Sequence, residues 1–102
     1  MKRHGDLSFH KVERASGQKV QHDGAYVLAV GEHTTHKHVI TKKSGTLELR
    51  KDKDGSLYII LDGRAVITHE EHKPIELTTG TYVMRHEREM DYFLNEVVRV
   101  QD

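Results

Sequence analysis

Three histidines fall within six positions of one stretch, GEHTTHKH at 31–38, and two more stand in HEEHK at 69–73. Imidazole is the commonest protein ligand for transition metals and the side chain whose charge changes nearest neutral pH. Two such clusters therefore point to metal binding or to proton transfer. In a strand, side chains two apart share a face, with an advance of about 3.3 Å per residue. His36 and His38 can thus aim at one ion. His33 has the opposite parity and precedes the strand, which makes it a loop residue or an outer partner. His69 continues the face of Ala65 and Ile67, placing an imidazole at the rim of an apolar core. His72, three residues on, shares that face only if the loop before Pro74 turns it back. Three or four ligands from His36, His38, His69 and His72, with Glu32, Glu70 or Glu71 beside them, suit Zn²⁺, Fe²⁺, Mn²⁺, Ni²⁺ or Cu²⁺. The set does not select among these ions. An ion with an open coordination position polarises a bound water or substrate oxygen, with Glu70 or Glu71 as the candidate general base.

An H-x-H pair alone is a weak signal. It is the second cluster, also at a strand end and flanked by carboxylates, that turns two histidines into a candidate site. Isolated histidines on a charged chain are ordinarily solvated, and His4, His10 and His22 are assigned there. The run RKDKD (50–54) reads as a solvated hairpin tip. RHERE (85–89) forms a surface ion-pair ladder or lines an anion pocket through its arginines. Tyr58, Tyr82 and Tyr92 read as core or rim packing.

The elements that must hold these residues have the period of strands. AYVLAVG (25–31) is a β-branched-rich apolar run, and LSFHKV (7–12) and KHVITK (37–42) are two further strands. In TLELRKDKDGSLYIILDGRAVITH (46–69), Asp54-Gly55 and Asp62-Gly63 each follow a β-rich run. Asp-Gly is a strong hairpin signal because glycine accepts the positive φ of a tight turn. The expectation is a three-stranded antiparallel meander, followed after Pro74 by a strand at 81–88. Met90, Phe93, Leu94, Val97 and Val98 lie on one helical face, predicting a short C-terminal helix, with a strand at EVVRV as the competitor. The whole, 1–102, is expected to be one antiparallel all-β domain, a small barrel or sandwich.

Composition sets the outer bounds. Of 102 residues, 35% are hydrophobic and 31% charged, and the mean hydropathy is -0.69. So little apolar material makes one modest core, and a homo-oligomer sharing burial between subunits is expected. Lys+Arg and Asp+Glu are both 16, so there is none of the basic excess that marks generic nucleic-acid binding. The absence of cysteine rules out disulfides, thiolate zinc sites and cysteine nucleophiles. No apolar run reaches the roughly 18 residues of a membrane span, and MKRHGDLSFH lacks the apolar stretch of a signal peptide. A cytoplasmic location is the expectation.

GDLSFHKV, GEHTTHKH, HEEHKPIELTTGTY and ERE together resemble a family of small uncharacterised proteins of bacteria and their phages. Its pattern is G-E-x-T-x-H-x-H, then H-E-E-H-x-x-I-x-L-x-x-G-x-Y, then an R-E pair. That likeness spans Gly5 to Glu89 and marks Gly31, Glu32, Thr34, His36, His38, His69, Glu70, Glu71, His72, Gly80, Tyr82, Arg88 and Glu89. His33 and His86 fall outside the pattern. HKH after an apolar strand and a glycine also resembles the first motif of cupins, which implies a β-barrel around a metal. The chain departs from that motif in the spacing from Gly31 to His36 and in having Thr41, Lys42 and Lys43 where a glutamate belongs.

The leading expectation is a divalent-metal-binding β-protein acting on a small anionic or carbonyl-bearing molecule, with Arg88 as an anion contact. A metal-free enzyme with paired histidines as acid and base on a phosphodiester is the second reading. A non-catalytic, oligomeric, phage-related accessory protein is the third. A bell-shaped pH profile that survives chelator marks the second, and metal buried between subunits marks the third.

Overall fold

The computed structural model describes residues 2–4, 7–30, 37–70 and 72–86. Seven strands run in chain order: β1 (Lys2–His4), β2 (Leu7–Lys11), β3 (Gln18–Val20), β4 (Ala25–Val30), β5 (Lys37–Lys51), β6 (Leu57–Thr68) and β7 (Ile75–His86). All pair antiparallel in one open sheet of order β1-β2-β7-β6-β5-β3. β5 is long enough to carry two partners on its outer edge. β3 lies along Leu49–Lys51, and β4 along Lys37–Thr41. The expected all-β antiparallel class is the one observed, with no helix among the described residues. The helix expected over 90–98 lies outside them. Among the described residues, no helix is long and apolar enough to cross a membrane.

The three-stranded meander expected over 46–69 is not found there: that stretch holds one hairpin, the end of β5 and the whole of β6, and the meander's third strand is β7. Asp62–Gly63 is no turn; it sits inside β6, and the two runs flanking it are one strand. KHVITK and TLELRK are likewise the two halves of β5, and IELTTG continues into TYVMRH as β7. Gly45 (φ 77) and Gly63 (φ 127) face each other across β5 and β6. The register shifts beside them, between Lys42 and Ser44. A positive-φ glycine serves a bulge as readily as a hairpin turn, so the dipeptide signal was right about φ and wrong about chain reversal. The true reversal is at 52–56. There the Asp52 N–H donates to the Ser56 carbonyl at 3.0 Å, and the Gly55 N–H to the Asp52 carbonyl at 3.0 Å. The Asp54 carboxyl is held below its ordinary value of 3.8, first by the Ser56 N–H and then by Asp52. The charged run 50–54 is the exposed tip expected of it, with Arg50 paired to Glu48 at 2.6 Å.

One face of the sheet carries the core. Leu49 stands beside Ile59, which stands beside Tyr82; Leu57, Met84 and Phe9 form a second such row. Ile40, Ile67 and Ile75 form a third, nearer the other end, with Ala65 opposite Leu77. These rows pack into one cluster. Buried positions in β5 are odd-numbered beyond the bulge (Leu47, Leu49) and even-numbered before it (His38, Ile40). An extra residue in one strand of a pair does this. It keeps one face inward along a strand of 15 residues.

Candidate metal centre

His38 is the second residue of β5, two before Ile40 and on the same inward face. It is 5% exposed, one of two buried polar or charged residues among those described, Ser8 being the other. Its neighbours across the ladder follow from the register. β5 and β6 pair Val39 with Thr68, so one step further sets His38 opposite His69. The Lys42 N–H donates toward β4, to the Gly24 carbonyl at 2.8 Å. By alternation, the N–H groups of Thr41, Val39 and Lys37 face β6. His38 and His69 thus occupy a pair without mutual main-chain hydrogen bonds, the kind in which side chains approach most closely.

The rings are where that geometry puts them. The His38 and His69 centroids are 4.3 Å apart, tilted by 37°. His72 completes the group, 4.7 Å from His69 and stacked on His38 at 6.0 Å. The loop before Pro74 does turn His72 back onto the face of His69. Burial is graded: His38 is buried, His69 half-buried and His72 exposed, so the group has a dry floor and a wet mouth. As the side chains stand, no three His, Asp or Glu among the described residues are arranged to hold an ion. Three rings are gathered, but their nitrogens do not converge on a point.

Of the other expected site residues, Glu70 is exposed, and its Oε1 accepts the Lys37 N–H at 2.9 Å. His36, Glu32, His33, Glu71 and Arg88 lie outside the described residues, as do Glu89 and Tyr92. Arg85 is exposed at the end of β7. Tyr82 packs in the core, as expected, and its hydroxyl donates to the Thr78 carbonyl at 2.8 Å.

Two histidines assigned to solvent are not free there. His10 is half-buried with Nε2 2.9 Å from Ser8 Oγ. His22, also half-buried, accepts the Gly24 N–H on Nδ1 at 3.0 Å and reaches the Leu47 carbonyl with Nε2 at 2.7 Å. A carbonyl only accepts, so Nε2 carries the proton. The 21–24 connection is pinned to β5 by this ring. The Leu47 carbonyl lies 25 residues from His22 in sequence, and no local pattern points to it.

A family model for a domain of unknown function, DUF8820, matches residues 3–87. That is 85 of the 102 residues, taking in both histidine clusters and every strand but the first residue of β1 and nothing of the C-terminal segment. The chain belongs to the DUF8820 family. No curated protein and no solved structure matches it. Membership agrees with the resemblance to a small uncharacterised family, and in this DUF8820 domain both HKH and HEEH fall inside the matched span.

Proposed function

We propose that this protein binds one divalent transition-metal ion through His38, His69 and His72, with His36 as a fourth imidazole. The observation that carries the reading is the meeting of three rings from two strand ends at 4.3, 4.7 and 6.0 Å. With metal–nitrogen bonds of about 2.0–2.1 Å, tetrahedrally disposed imidazoles have centroids roughly 5 Å apart. The three separations bracket that value. Rotation of the rings about their side-chain torsions, without movement of the strands, is what an ion demands of them. The donors are all imidazole, which favours Zn²⁺, Cu²⁺, Fe²⁺ or Ni²⁺ over Mg²⁺ or Ca²⁺.

The wet mouth at His72 leaves room for water or a small molecule as a fifth ligand, and a metal in such a position acts as a Lewis acid. Glu71 and Arg88 are the residues we assign to proton transfer and anion contact there. A titration of metal-stripped protein with Co²⁺, followed by visible absorption, tests the reading. Saturation at one equivalent, abolished in His38→Ala and in His69→Ala, is expected. No uptake by the parent overturns it, and the paired imidazoles then belong to metal-free acid–base chemistry, to be sought in chelator.

A further inference from the structure

The two histidine clusters meet at a strand end, where a ladder has no further rung to hold it. β6 stops at Thr68, and its last described pair with β5 is Val39↔Thr68. Two steps beyond that pair, the register sets position 70 opposite Lys37. The Lys37 N–H faces β6 by the alternation derived above. What it finds there is the Glu70 side chain, Oε1 at 2.9 Å. A carboxylate therefore occupies the acceptor position that one more ladder rung would fill with a carbonyl. The bond lies next to His38 on one strand and next to His69 on the other, and His72 is two residues beyond it.

We propose that Glu70 is a positioning residue for the histidine site: its carboxylate latches the 69–72 segment to the start of β5 and so sets the distance between the clusters. The inference rests on the metal-binding reading for its consequence, while the latch itself is a property of the metal-free chain. Ends of ladders fray, and a frayed end here would separate His69 and His72 from His38. A hydrogen bond to an ionised acceptor is shorter and stronger than a neutral one, which suits it to closing a strand end in solvent. Groups that orient ligands typically affect metal affinity by about 10–100-fold. In this role Glu70 touches neither ion nor substrate.

The test compares Glu70→Ala and Glu70→Gln with the parent by three readouts: Co²⁺ affinity and spectrum, Lys37 amide exchange, and the cross-peak between the His38 and His69 rings. Glutamine retains a carbonyl acceptor without the charge. Glu70→Ala is expected to weaken Co²⁺ binding about tenfold or more, speed Lys37 exchange and weaken the cross-peak. Glu70→Gln is expected to restore all three to within about twofold of the parent, since the acceptor remains. A glutamine variant as weak as alanine assigns Glu70 to charge or direct ligation and overturns the latch. So does an alanine variant with unchanged Lys37 exchange. If the parent takes up no Co²⁺, the metal reading falls alone, and exchange with the ring cross-peak still decides the latch.

Discussion

A histidine two residues from a fully buried isoleucine, on the same face, has little freedom to point elsewhere. His38 is fixed this way by Ile40, and His69 by Ile67. Both placements were legible from parity alone, because a strand alternates faces without exception until a bulge intervenes. His72 was legible only as a condition on the loop. His22 was not legible at all, since its role depends on a carbonyl contributed by another strand. Its geometry makes a prediction at this scale. The neutral ring carries its proton on Nε2, which nitrogen chemical shifts of the labelled protein will report; a proton on Nδ1 contradicts the assignment. Removing the ring in His22→Ala breaks two hydrogen bonds to main chain, at about 0.5–1.5 kcal/mol each. A fall of about 1–3 kcal/mol in urea stability is expected, and an unchanged midpoint with unchanged slope contradicts it.

At the scale of elements, the bulge in β5 decides which residues meet. Between the hairpin at 52–56 and the bulge, β5 and β6 pair Lys51 with Leu57 and Leu47 with Leu61. Continued without interruption, that register would set Glu70 opposite His38 and turn His38 to the outer face, away from His69. One extra residue beside Lys42 moves the pairing by one step and brings His69 across from His38. Deleting Lys43 is therefore expected to abolish the His38–His69 ring contact and metal uptake together, with the half of the sheet around Leu49 and Ile59 retaining its amide protection. Undiminished metal binding in the deletion variant would contradict this register argument. The glycines offer a second check. A Cβ on Gly63 would lie 2.3 Å from the Ser44 carbonyl oxygen, whereas one on Gly55 meets nothing within 4 Å. Both have positive φ, worth about 1–2 kcal/mol against an ordinary residue. Gly55→Ala is expected to cost about that much and Gly63→Ala clearly more, by urea denaturation. Equal costs would mean that the close approach at the bulge is unimportant. From sequence, Asp54-Gly55 and Asp62-Gly63 look alike; only the pairing of distant strands distinguishes a reversal from a bulge.

At the scale of the whole molecule, the described residues share one core in a chain of low mean hydropathy (-0.69). The length of 102 residues pointed to a single small domain, and the β class follows from the alternation of Leu47, Leu49, Leu57, Ile59 and Leu61. What composition and periodicity could not supply is connectivity: that β5 takes two partners on one edge, or that β2 pairs with β7 at the far end of the chain. Those choices are set by long-range burial. A site built at the rim of so modest a core couples to it directly, because a ligand that binds only the folded chain stabilises it. At a concentration 100 times its dissociation constant, the gain is about 2.7 kcal/mol. Zinc added to metal-stripped protein at that excess is accordingly expected to raise the thermal midpoint by roughly 10–20 °C, as about 1 kcal/mol moves a domain of this size by roughly 4–8 °C. The double variant His38→Ala/His69→Ala should show no such rise. A rise of equal size in that variant would place the ion elsewhere.

The most direct measurement is elemental analysis by mass spectrometry of untagged protein purified without a nickel column, beside that double variant. Near-stoichiometric transition metal in the parent, absent from the variant, is the predicted result and names the ion. A metal-free parent that also takes up no added Zn²⁺, Fe²⁺ or Mn²⁺ would contradict the assignment of His38, His69 and His72 to a metal centre.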